Sequence, residues 1–140
     1  MKLLIKNTTI VTVNDQDQVL EHADLAVSGK TIVGVGKAPL DFIPDRVIDG
    51  KGKLVMPGLI NAHTHLSMTL MRNYADDLPF SDWLFKKIKP LEDHLLAEDV
   101  RLGAKLGIAE MIRGGTTCFH DMYFFMDEVA SEVESSGIRA

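Results

Sequence analysis

The stretch Leu54-Val55-Met56-Pro57-Gly58-Leu59-Ile60-Asn61-Ala62-His63-Thr64-His65 decides how the rest of the chain is read. Pro57-Gly58 interrupts the backbone, Leu59-Ile60 open an apolar run, and small and polar residues follow from Asn61. That is the pattern of a buried parallel strand at the point where its C-terminal end emerges. Side chains alternate faces along a strand, so His63 and His65 point the same way. The C-terminal end of a parallel strand is where α/β barrels and sheets keep their active sites. Imidazole nitrogen is a preferred zinc ligand, and a catalytic site uses about three protein ligands plus a water. The pair supplies part of such a site or, on spacing alone, two ordinary polar histidines.

On the N-terminal side, β-branched runs separated by turn residues predict short strands at Leu3 to Val13, Asp24 to Val27, Lys30 to Val35 and Arg46 to Ile48, a small antiparallel unit. Ser28-Gly29 is a hairpin signal, because glycine accepts the positive φ of a tight turn. On the C-terminal side, Ser81 opens a helix through Ile88 that Pro90 stops. Leu96, Val100, Ala104, Ile108 and Ile112 recur every four residues, with Met111 widening the stripe, and predict a longer helix ended by Gly114-Gly115. Thr116 to Phe119 reads as a strand. Asp127 to Ser136 reads as a helix with Val129, Ala130 and Val133 inward and Gly137 as its stop. Ile138-Arg139-Ala140 look like the opening of another strand. The alternation of strand and helix defines an α/β chain with a parallel sheet. A sheet with an open parallel edge invites pairing with another chain. The expectation is therefore the N-terminal part of a longer protein, or a chain completed by a partner, with homo-oligomers formed.

Composition narrows the function classes. Among 140 residues, 15 Lys and Arg face 20 Asp and Glu, a net charge of −5, which gives no electrostatic support for gripping a phosphate backbone. Nucleic acid is not an expected partner. No run approaches the roughly 18 apolar residues of a membrane span, and the N-terminus lacks the apolar core of a signal peptide. The one cysteine, Cys118, excludes an intrachain disulfide and reads as small core. A cytoplasmic location is expected. His120 beside Asp121 reads as a polar strand end or, in the alternative, as a residue that orients a ligand from behind; His22 and His94 read as solvated, and Met68, Met71 and Met122 as gap fillers.

The run from Val47-Ile48-Asp49-Gly50 through His65 resembles the opening signature of the amidohydrolase superfamily. Further on, Met68 to Arg72, Ala75 to Pro79, Trp83-Leu84, Pro90-Leu91-Glu92-Asp93, Gly115-Thr116-Thr117 and Asp121-Met122-Tyr123-Phe124 are similar to its branch that deaminates adenosine-type nucleosides such as 5′-methylthioadenosine or S-adenosylhomocysteine. The resemblance implies a small β-sandwich segment over residues 1–56 and, over 57–140, the first βα units of a (β/α)8 TIM barrel. It implies that His63 and His65 are the first two ligands of a divalent metal, Zn2+ or another such as Fe2+. It implies that Trp83 and Glu92 line the nucleoside pocket, with Glu92 accepting hydrogen bonds from ribose hydroxyls. The implied reaction is metal-dependent hydrolysis of a cyclic amidine C–N bond: water is activated for attack at C6 of the adenine ring and ammonia leaves. The other ligands and the proton shuttle belong to later strands of such an enzyme, so the 140-residue chain is expected to be inactive alone. Local physics by itself favours Glu92 as a solvated acid beside Asp93, and leaves Trp83 equally readable as helix core. Relatives acting on guanine, cytosine or chlorotriazine rings share the signature, and a non-catalytic scaffold retaining this part of a barrel is a further reading.

Overall fold

Five strands account for most of the first 57 residues: β1 (Lys2–Val11), β2 (Val19–Ser28), β3 (Thr31–Gly36), β4 (Arg46–Asp49) and β5 (Leu54–Val55). The computed structural model describes residues 1–140 and divides them into two units, Met1–Pro57 and Gly58–Ala140. In the first unit the sheet order is β3-β2-β1-β4, with β5 also on β1. β1 with β2, and β2 with β3, pair antiparallel. The second hairpin turns at Gly29, whose φ of +61° is the conformation expected there. The core gathers Ile10, Ala23 and Leu25, with Ile5, Leu20, Val27 and Val55 packed on it.

The expectation of a purely antiparallel unit is corrected, because β4 and β5 both run parallel to β1. A crossover between β3 and β4 replaces a tight hairpin, and the chain then detours through Asp49 to Lys53 and returns to β1 in the same direction. Thr8 fixes that detour: its buried Oγ1 donates to the Lys53 carbonyl at 2.8 Å, while Gly50 N–H donates to the Lys6 carbonyl at 2.7 Å. A Cβ on Gly50 would lie 2.5 Å from that of Thr8, so the close approach demands glycine.

The second unit runs β6 (Leu59–Thr64), a 3-10 turn (Leu66–Met71), α1 (Phe80–Trp83), a π-helical turn (Leu84–Ile88), α2 (Lys89–Glu92), α3 (Ala97–Arg113), β7 (Thr116–Asp121) and α4 (Met126–Ser136). β6 and β7 pair in parallel, with Asn61 opposite Phe119 and Thr64 opposite Asp121. Arg139 extends this arrangement beside β7: its N–H donates to the Thr117 carbonyl at 3.2 Å, and Phe119 N–H donates to the Arg139 carbonyl at 3.0 Å. Leu66, Val100, Ala104, Ile108, Phe119, Val129 and Ile138 form the core. Full burial of a large apolar side chain contributes about 1.5–3 kcal/mol.

Three local expectations are revised. Pro90 does not stop its helix. Lys89 N–H bonds the carbonyl of Leu84, five residues back, and this widened turn absorbs the proline ring so that the helix continues to Glu92. In α3 the stripe holds at Val100, Ala104 and Ile108, but Leu96 and Ile112 at its ends are exposed, with Gly103 and Gly107 buried instead. In α4 Ala130 faces solvent, and Glu132 is buried because Arg101 and Lys105 of α3 meet its carboxylate at 2.8 and 3.6 Å.

Candidate functional site

β6 ends in small and polar residues and delivers two imidazoles to one place. His63 closes the strand and His65 follows it as the first residue of the turn into Leu66–Met71. Their ring centroids lie 5.2 Å apart, edge to face, so the strand alternation does put them on one side. Asn61 Oδ1, two residues earlier on the same face, accepts the His63 N–H at 3.2 Å. The His65 Nδ1 lies 2.7 Å from the carbonyl oxygen of Met122, which can only accept. Nδ1 therefore carries the proton, and Nε2 presents its lone pair away from the backbone. A carbonyl acceptor on the far nitrogen is how metal-ligating histidines are usually oriented.

The same region contains a cavity of about 440 Å³ lined by His65, Trp83 and Glu92. Met68, Phe80, Leu84, Met122, Tyr123 and Phe124 supply the remainder of its wall, so the surface is apolar apart from few polar groups. Trp83 is partly buried with the Phe80 ring 6.0 Å away. Glu92 is brought inward by the helix that continues past Pro90, and its Oε1 accepts the Tyr123 hydroxyl at 3.0 Å. Burial pushes the Tyr123 phenol well above its usual value, and the hydrogen bond to Glu92 adds to this, so Tyr123 remains a donor across neutral pH. The Tyr123 ring also stands 6.4 Å from that of His65 and 5.0 Å from Phe124.

Three of the four residues singled out in the sequence thus share one cavity, and the fourth, His63, is not in its wall but stands against His65, ring to ring. Two neighbouring imidazoles, that of His65 with Nε2 free, fit a divalent metal as two of its ligands. The donor set goes no further, since no three His, Cys, Asp or Glu side chains are gathered to enclose an ion. Sequence reasoning missed Tyr123 and treated Met68 and Met122 as fillers. The available signal was position: residues just after β7 stand beside those just after β6 once the two strands are parallel neighbours. His120, His22 and His94 are exposed and outside this cavity.

An α/β chain with paired histidines at a strand's C-terminal end, facing an apolar cavity with a carboxylate on its wall, has the layout of a metal-dependent hydrolase. The chain belongs to the amidohydrolase family, whose model matches residues 54–140. It is 55% identical over 139 residues to a 5-methylthioadenosine/S-adenosylhomocysteine deaminase of Caldanaerobacter subterraneus, a match covering 99% of this chain and 32% of that protein. It is 52% identical over 139 residues to the Thermoanaerobacter pseudethanolicus protein of the same name, again 99% of this chain and 32% of the other. The chain therefore spans about a third of the length of the curated relatives it matches. Among solved structures, an adenosine deaminase from Xanthomonas campestris with bound zinc superposes with a TM-score of 0.91 at 43% identity, covering 99% of this chain and 32% of that one. An atrazine chlorohydrolase from Arthrobacter aurescens complexed with zinc gives 0.89 at 29% identity, covering 98% and 34%.

Proposed function

We propose that this chain forms the N-terminal part of a metal-dependent aminohydrolase that deaminates an adenosine-type nucleoside such as 5′-methylthioadenosine or S-adenosylhomocysteine. Residues 1–56 act as one segment of a composite β-sandwich, and 57–140 as the first βα units of a (β/α)8 TIM barrel. The whole protein works in the cytoplasm as a homo-oligomer. His63 and His65 hold a divalent ion, Zn2+ or Fe2+, through their Nε2 atoms. When bound, that ion supplies Lewis-acid activation of water for hydrolysis. Trp83 and Phe80 take flat and apolar parts of the substrate, while their side chains exclude bulk water from the cavity. Glu92 orients the nucleoside: Tyr123 engages Oε1, which leaves Oε2 to accept a ribose hydroxyl.

The observation that carries this reading is that His65, Trp83 and Glu92, from three separate elements, line one cavity. A nucleoside suits this wall, because the Glu92 oxygen that Tyr123 does not engage can accept from a ribose diol. The test is ammonia release by a protein of the relatives' length, given zinc and either 5′-methylthioadenosine or free adenine. Turnover of the nucleoside, at least about a hundredfold better in kcat/KM than the free base, is expected from loss of the ribose contact. Equal rates, or turnover of a chlorotriazine instead, would refute the proposed substrate class.

A further inference from the structure

We infer that Asp121 is a positioning residue which sets the tautomer and direction of His65. The Asp121 carboxyl group stands at the end of β7, opposite Thr64 in the parallel register. One oxygen, Oδ1, accepts two backbone N–H groups: that of Leu66 at 3.0 Å and that of Met122 at 2.9 Å. These amides belong to the two residues that decide what His65 can do. Leu66 immediately follows His65, so the first bond anchors the imidazole's own backbone. Met122 carries the carbonyl that accepts His65 Nδ1–H, so the second bond anchors the acceptor. A single atom thus ties both ends of the ring's support across 55 residues of sequence.

The other oxygen, Oδ2, is buried and has no hydrogen-bond partner. An unsatisfied buried oxygen is unfavourable and needs a reason in a native structure. The role the structure shows for this carboxyl group is the Oδ1 clamp on both amides. Without the clamp, the β6 and β7 ends are free to splay, Met122 C=O swings away, and neutral imidazole reverts to a mixture of tautomers in which Nε2 is often protonated and useless as a ligand.

The consequence for metal rests on the proposed function, but the tautomer does not, and the experiment separates them. In the metal-free full chain with 15N-labelled histidine, measured above the histidine titration range, the His65 ring signals are assigned by their loss in His65→Gln. Wild type is expected to show Nδ1 protonated and Nε2 bare. Asp121→Asn keeps the Oδ1 acceptor and should keep that pattern, while Asp121→Ala should give averaged tautomer shifts and a zinc Kd raised by about 10–100-fold. A wild-type ring protonated at Nε2, or an Ala variant with the wild-type tautomer, overturns the inference. The first of these needs no variant, so a misfolded Asp121→Ala does not rescue it. If wild type binds no zinc but shows the expected tautomer and its loss, the clamp stands and the proposed function fails.

Discussion

At the scale of single residues, the cavity is organised by polar atoms whose partners are backbone groups or one another. Tyr123 illustrates this: its hydroxyl donates to Glu92, its ring flanks His65, and burial keeps it protonated. Replacing Tyr123 by Phe leaves the wall intact and frees Glu92 to turn. In a protein of the relatives' length, we expect KM for the nucleoside to rise about three- to tenfold, with zinc content unchanged and kcat nearly so. Steady-state kinetics and metal analysis check it; a loss confined to kcat would assign Tyr123 to the chemistry instead. The direction of the histidine pair was legible in the sequence because strand alternation is a local rule. The partners of Glu92 and His65 were not, since Tyr123 lies 31 residues from the one and Met122 lies 57 from the other.

Among elements, the decisive contact is that of α3 with the turn Leu66–Met71 that follows His65. Gly103 and Gly107 let the helix come so close that a Cβ on Gly103 would sit 2.6 Å from the Ser67 carbonyl oxygen. Ser67 Oγ donates to the Val100 carbonyl at 2.8 Å and Thr69 Oγ1 to that of Gly103 at 2.9 Å, which secures the turn on the helix. Gly→Ala inside an exposed helix would gain about 1 kcal/mol. Here Gly103→Ala should instead lower stability by about 1–3 kcal/mol, as overpacking does, and weaken zinc binding by displacing the turn; thermal unfolding and zinc titration read both. The α3–α4 contact responds to pH. The Arg101 hydrogen bond, with Lys105 assisting against burial, holds the Glu132 carboxyl below its ordinary value of 4.5. A depressed carboxylate contributes stability that is fully present above the unfolded value and is lost as pH falls through the folded one. The melting temperature should therefore drop as pH is taken below 4.5, and Glu132→Gln should be less stable at neutral pH with a flatter acid limb. The period of α3 was readable from sequence at Val100, Ala104 and Ile108. The purpose of Gly103 and Gly107 comes only from the packing partner.

For the whole molecule, the two units are built on different rules, a mixed sheet in Met1–Pro57 and a βαβ arrangement in Gly58–Ala140. The catalytic reading belongs to the second. Because only two imidazoles converge there, the 140-residue chain should hold zinc far more weakly than a protein of the relatives' length and release no ammonia from 5′-methylthioadenosine at enzymatic rates. Isothermal titration and an ammonia assay on both proteins check this, and turnover by the shorter one would contradict it. No helix is long and apolar enough to cross a membrane. Sequence alone determined the α/β alternation, most element positions and the convergence of His63 and His65, because periodicity and turn chemistry act over a few neighbouring residues. Only the tertiary structure decided that β4 and β5 follow β1 in parallel, that the helix passes through Pro90 to carry Glu92 inward, and that Asp121 bonds the Leu66 and Met122 amides while Tyr123 bonds Glu92. Those outcomes depend on which strands become neighbours and in what register, a choice made by the packing of the whole core.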